Sequence, residues 1–115
     1  MVEVVWEYIV RDQARGQFEL AFGPGGAWSK LFAKSPGFRG TTLMRDLKNT
    51  RRYLVIELWN DETMRVRSIA EQRAEYTELQ IVFDEWAESR IELGTFSVRA
   101  EATVRPRGKV GSKNR

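Results

Sequence analysis

The chain has 115 residues, 42% of them hydrophobic and 30% charged, the balance of one folded domain rather than of a disordered segment. Its net charge of +3 is a property of one end: residues 105–115 hold five Lys/Arg and no acid, so residues 1–104 carry 14 basic against 16 acidic side chains, a net −2. With no histidine and no cysteine, imidazole and thiolate catalysis, disulfide bonds and His-ligated zinc, copper or haem iron are excluded.

Residues 2–10 (VEVVWEYIV) are rich in valine, isoleucine and aromatics, which predicts a strand. Val2, Val4, Trp6, Tyr8 and Val10 share one face; Glu3, Val5, Glu7 and Ile9 share the other. Residues 13–34 read as helical, but Gly23-Pro24-Gly25-Gly26 falls between Phe18, Leu20 and Phe22 on one side and Trp28, Leu31 and Phe32 on the other. A proline among three glycines cannot continue a regular helix, so a kink or two short helices is expected. Residues 38–46 and 52–59 form two strands around a polar turn at 47–51. In the second strand, Leu54, Ile56 and Leu58 make an apolar face, and Tyr53, Val55, Glu57 and Trp59 a mixed one.

Asn60 or Asp61 caps one long helix, with Glu62 in its first turn. Ile69, Tyr76, Leu79, Phe83 and Trp86 mark its buried stripe, and it ends near 88–89. A last strand starts at Arg90 or Ile91 and continues to Val104, because Phe96, Val98, Ala100, Ala102 and Val104 alternate with polar residues.

The order β-α-β-β-α-β is the ferredoxin-like arrangement, an α+β fold with two helices on one face of a four-stranded antiparallel sheet. Residues 1–104 form the domain, and 105–115 are a basic tail expected to stay disordered. The helices leave one sheet face uncovered. That face is assigned Tyr53, Val55 and Trp59 with alternate residues of the first strand, and an apolar face is rarely left in water, so a homodimer is expected. No basic segment precedes an apolar run at the start, and no apolar run reaches the roughly 18 residues of a membrane span. The expectation is a cytoplasmic protein with no membrane contact, and the acidic folded part argues against a nucleic-acid partner.

Residues 18–61 also resemble the antibiotic biosynthesis monooxygenase family, and the resemblance extends over roughly residues 3–98. The resemblance rests on Phe22-Gly23-Pro24, Trp28, Leu31-Phe32, Pro36-Gly37-Phe38, Gly40-Thr41, Arg45-Asp46 and the strand from Tyr53 to Trp59. It implies a dimeric α/β barrel with a small-molecule pocket between each sheet and its helices. Members include oxygenases of polycyclic aromatics that use no metal or flavin, quinol monooxygenases and haem-degrading enzymes. The haem-degrading branch uses an Asn on the first strand and a Trp and a His on the second helix. Here Glu7 and Tyr8 stand near the first position and Ser68 near the second, and the chain has nothing to replace the histidine.

Nine aromatics are candidates for the pocket wall: Trp6, Tyr8, Phe22, Trp28, Phe32, Tyr53, Trp59, Tyr76 and Trp86. They suit a flat hydrophobic or aromatic ligand, and they equally suit the core of a small domain. Without histidine, a catalytic base would be a carboxylate, a tyrosinate or the substrate itself. Glu57 is the candidate carboxylate. A hairpin turning near Asn49 sets Thr41 opposite it and Arg39 diagonal, so an Arg39–Glu57 ion pair or an inter-subunit salt bridge is the alternative role. The Gly23–Gly26 run lacks the strand and GK[ST] context of a phosphate loop. These readings lead to a monooxygenase acting on an aromatic or quinol-type molecule with no metal, haem, flavin or other cofactor. The alternative is a non-catalytic small-ligand binder on the same scaffold.

Overall fold

A computed structural model of the chain describes residues 1–104, and the expected basic tail, 105–115, lies outside the described residues. Four antiparallel strands form one sheet in the order β2-β3-β1-β4, with β1 at Val2–Val10, β2 at Phe38–Arg45, β3 at Arg52–Trp59 and β4 at Ala87–Ser97. The helices α1 (Arg15–Phe22), α2 (Ala27–Phe32), α3 (Glu62–Glu71) and α4 (Arg73–Trp86) all belong to the two connections that return across one face. The result is the ferredoxin-like α+β fold expected from the element order. No described helix is long and apolar enough to cross a membrane.

The break between α1 and α2 falls where proline and glycine require it. A Cβ on Gly26 would stand 2.1 Å from the Leu20 carbonyl oxygen, so the two short helices can approach only through a bare backbone. Asp61 caps α3 by accepting from the Met64 N–H at 2.8 Å. The single long helix expected after it is in fact two. Gln72 leaves the helical region (φ −118°, ψ 33°), and its side-chain amide donates to the Ser35 hydroxyl at 3.0 Å. The kink is thus tied to the turn after α2, a tertiary contact that no glycine or proline announces.

The expected helix end at 88–89 and strand start at Arg90 also move. The Trp86 carbonyl accepts from the Arg11 N–H at 2.8 Å and Ala87 already pairs with Val10, so α4 passes into β4 without a loop. At its far end β4 stops at Ser97 rather than Val104. The Val98 N–H still reaches the Met1 carbonyl, but Ala100, Ala102 and Val104 find no strand to pair with among the described residues.

The assignment of the sheet faces is reversed from the expectation. Tyr53, Val55, Glu57 and Trp59 are all buried and face the helices, while Leu54, Ile56 and Leu58 lie on the uncovered face. The register carries this across the sheet. Val4 pairs with Glu57 and Tyr8 with Tyr53, so β1 turns Val4, Trp6, Tyr8 and Val10 inward and Val5 and Ile9 outward. The physical reason is volume. Two helices and a glycine-broken segment leave space that large rings fill, and the smaller aliphatic side chains of β3 go to the open face beside Glu3 and Glu7 of β1.

Aromatic rings therefore make the core. Phe83 contacts Phe18, Phe22 and Trp28, and Phe22 contacts Phe18 and Trp28, with centroids 4.9–6.3 Å apart, and Phe32, Phe38 and Trp59 continue the cluster at 5.1–5.5 Å. Each such ring buries about 150–250 Å², which makes this cluster the main source of stability in a domain of this size.

Candidate active site

At the centre of β3, a fully buried carboxylate collects three donors. Glu57, 0% exposed, accepts from Trp6 Nε1 on Oε2 at 2.9 Å, and from Trp59 Nε1 at 3.1 Å and Arg65 Nε at 3.0 Å on Oε1. Strand alternation places Trp59 on the same face as Glu57, the β1–β3 register brings Trp6 alongside, and the first turns of α3 carry Arg65 over them. A charge this deep persists only when paired and hydrogen-bonded, and here it is both. The Glu57 charge and hydrogen bond raise the Arg65 pKa even though burial pulls it down.

Around this pair stand further polar groups. Thr41 lies opposite Glu57 as the hairpin predicts, and its hydroxyl is buried with no partner. Arg39 does not reach the carboxylate. The register shift between Phe38 and Gly40 turns it outward, where it donates to Asn60 Oδ1 at 3.2 Å. Arg90 lies over the Trp6 ring, 5.4 Å from its centroid, and is itself held by Gln80 and Asp84. Burial raises the Tyr76 pKa, and the Glu57 charge adds to that, while Arg65 and Arg90 act against it. Burial raises Tyr8 as well, against the pull of Arg90. Both phenols are consequently protonated donors at neutral pH rather than bases.

The nine candidate aromatics divide by position. Tyr8, Phe22, Trp28, Phe32, Tyr53 and Trp59 are buried in mutual ring contact, whereas Trp6, Tyr76 and Trp86 are half-buried. Trp6 and Trp59 touch Glu57 directly, and Tyr76 connects to the group through the rings of Trp28 and Phe32 at 5.9 and 6.3 Å. Trp86 is remote. It sits beside Ala87, which pairs with Val10, six strand positions or roughly 20 Å from Val4 and Glu57. Tyr53 is likewise drawn elsewhere, its hydroxyl donating to Glu19 at 2.5 Å.

Arg65 and Arg90 were not among the sequence candidates. Arg65 had a signal: the buried stripe through Tyr76 and Ile69, stepped back by four, lands on it. Arg90 had none, since its placement follows from α4 running directly into β4.

The profile of the antibiotic biosynthesis monooxygenase family matches residues 1–64, more than half of the chain. The chain belongs to that family. The antibiotic biosynthesis monooxygenase match spans β1 to the start of α3, so it includes Trp6, Glu57 and Trp59 and stops one residue short of Arg65. Among solved structures, the chain is similar to SnoaB, a cofactor-independent oxygenase from Streptomyces nogalater, at 24% identity and a TM-score of 0.68, over 87% of this chain and 94% of that one. Rv0793 from Mycobacterium tuberculosis is 14% identical with a TM-score of 0.68, over 89% and 98%. A conserved protein from Methanosarcina mazei is 16% identical with a TM-score of 0.64, over 83% and 89%. At these identities the likeness is one of fold. Among curated proteins none matches the chain significantly.

Proposed function

We propose that this protein is a cofactor-independent monooxygenase acting on a planar aromatic or quinol-type molecule. The observation that carries this reading is the buried Glu57 group, a charged and indole-lined cluster set between sheet and helices in a chain of the antibiotic biosynthesis monooxygenase family. The likeness to SnoaB, described as a cofactor-independent oxygenase, supports it. The proposed pocket is the space bordered by Trp6 and Tyr76, with Trp28, Phe32 and Trp59 as its back wall. That space is closed by packed rings in the single chain, and open surface hollows lie elsewhere, for example one of about 450 Å³ beside Leu20, Pro24 and Trp86.

In the proposed reaction, an activated ring methylene is oxidised to a carbonyl, R₂CH₂ + O₂ → R₂C=O + H₂O. The substrate loses a proton and becomes an enolate, which is the electron source for O₂. A carbon–oxygen bond forms to give a hydroperoxide. Its O–O bond then breaks as the second C–H proton is lost, and one oxygen leaves as water. The protein binds the enolate, orients it and excludes water. Three donors on its two oxygens favour Glu57 as an anchor of the site over a free base, and the protonated tyrosines serve as donors.

The site is proposed to work within a homodimer. The uncovered sheet face carries Val5, Ile9, Leu54, Ile56 and Leu58, with Met44, Ile91 and Phe96 exposed around them and the Glu7–Arg52 ion pair among them. A face with this much exposed aliphatic surface fits association with a second copy. Light scattering is expected to give twice the 13.4 kDa chain mass, and a single-chain mass at micromolar concentration counts against the dimer.

Oxygen uptake with anthrones and reduced naphthoquinols tests the reaction. Turnover above the buffer rate, with carbonyl product formed per O₂ consumed, is the expected result. Ligand-induced thermal stabilisation without O₂ uptake identifies the protein as a binder instead.

A further inference from the structure

Only one edge of the Arg65 guanidinium is used. Its Nε donates to Glu57, and two indoles fix that carboxylate from the other directions. Nη1 and Nη2 donate to no protein group among the described residues, and neither is sealed from solvent. The side chain is nevertheless only 12% exposed. The half-buried Tyr76 packs near the same group, against Trp28 and Phe32. A largely buried guanidinium gripped at one edge, with its Nη groups left without a protein acceptor among the described residues, has the form of an anion receptor.

We infer that Arg65 is the anion-binding group of the site and receives the oxyanion of a planar aromatic acid, a phenolate or enolate, on its free Nη edge. This inference rests on the aromatic-substrate reading above and adds the residue that receives the anion. Three observations carry it. The Glu57 anchor removes the rotational freedom that makes a surface arginine a weak receptor. Two neutral indoles share the carboxylate, so Glu57 does not use the whole hydrogen-bonding capacity of Arg65. Arg90, stacked on the Trp6 ring, adds a second positive group beside a flat indole surface on which an aromatic ring can lie. Tyr76, held as a neutral phenol, can donate to the same oxygen.

The chemical consequence concerns the missing base. A site that binds the anion more tightly than the neutral acid lowers the pKa of its ligand by the same factor. The substrate O–H bond then breaks with its electron pair left on oxygen, and the proton passes to solvent. No histidine is needed for that step.

Two ligands of one shape separate the possibilities. 2-Hydroxy-1,4-naphthoquinone ionises to an oxyanion, and 2-methoxy-1,4-naphthoquinone is its neutral counterpart. Quenching of tryptophan fluorescence reports binding of each. The wild-type protein is expected to bind both and to prefer the hydroxy compound by about tenfold or more, the range of a charge-assisted hydrogen bond. The preference should be complete above the hydroxyl pKa of the free ligand and fade as pH falls from there through the lower pKa of the bound ligand. Arg65→Met should abolish the preference, so that the hydroxy compound binds no better than the methoxy one, and Arg65→Lys should restore part of it. Equal binding of the two compounds by wild type, or an undiminished preference in Arg65→Met, overturns the inference while leaving the aromatic site standing. Failure of wild type to bind either compound overturns the aromatic-substrate reading and this inference with it. The wild-type pH comparison decides the matter even if the variants do not fold.

Discussion

Trp59 belongs to two systems at once. Its ring sits edge-on to Phe32 and Phe38, with centroids 5.2 and 5.1 Å away, and its Nε1 donates to Glu57 at 3.1 Å. Replacement by phenylalanine keeps most of the first role and removes the second. Trp59→Phe should destabilise the protein by about 1–3 kcal/mol, the cost of taking a donor from a buried charged acceptor plus a small packing loss. Trp59→Ala should cost about 3–5 kcal/mol, because the ring contacts go as well. Urea denaturation of the two variants measures both. A Trp59→Phe protein as stable as wild type would show that the other two donors suffice for Glu57. At this scale, burial of the mixed face could not be read from the strand pattern. Alternation shows which residues share a face, and not which face the helices cover. The Thr41–Glu57 pairing was legible because a hairpin register follows from its turn. Arg39 was misplaced because a one-residue shift in β2 cannot be seen in the residue types.

Among the elements, those whose boundaries are written in local chemistry were the legible ones. Strands β1, β2 and β3 and the Gly23–Gly26 break follow from alternation and from backbone sterics. The α3–α4 kink and the direct α4–β4 passage depend on partners distant in sequence, Ser35 and Arg11, and no local pattern encodes those. The α1–α2 break offers a sharp test of the local kind. A methyl group on Gly26 would meet the Leu20 carbonyl oxygen at 2.1 Å and the Ala21 carbonyl oxygen at 2.5 Å, both rigid backbone atoms. Gly26→Ala should therefore cost about 3 kcal/mol, at the upper end of ordinary overpacking, and lower the melting temperature by roughly 10–20 °C in a domain of this size. Gly25, at φ +73° with nothing near its Cβ position, is the control. Gly25→Ala has conformational strain but no collision, so it should cost only about 1–2 kcal/mol. Equal losses at the two positions would mean that backbone conformation, and not close approach, sets the glycine requirement.

Over the whole molecule, one core built from aromatic rings makes stability depend on pH in a defined direction. All three tyrosines of the chain have pKa values above the ordinary phenol value. Burial raises Tyr8 and Tyr76 and also Tyr53, whose bond to Glu19 raises it further. In the unfolded chain each phenol ionises near the usual pKa of about 10. A folded pKa above the unfolded one means that the native state holds its protons more tightly. The associated stability is complete below about pH 10 and is lost as pH rises from there toward the folded values. At neutral pH the tyrosines are insensitive to small changes, which suits their role as donors. Alkaline titration followed by tyrosinate absorbance should show less ionisation near pH 10 than the unfolded chain shows, with Tyr8 the most resistant. It should then show a single cooperative rise that coincides with loss of the near-ultraviolet circular dichroism. Tyr53→Phe removes one ionisable group while keeping its ring against Phe18, 5.1 Å away. That variant should retain more of its stability than wild type above pH 10 and lose a little below it, where the Glu19 bond is missed. A smooth ionisation near pH 10 with the native spectrum intact would show that the rings are open to water, and the closed aromatic core described for the sheet–helix interface would be wrong.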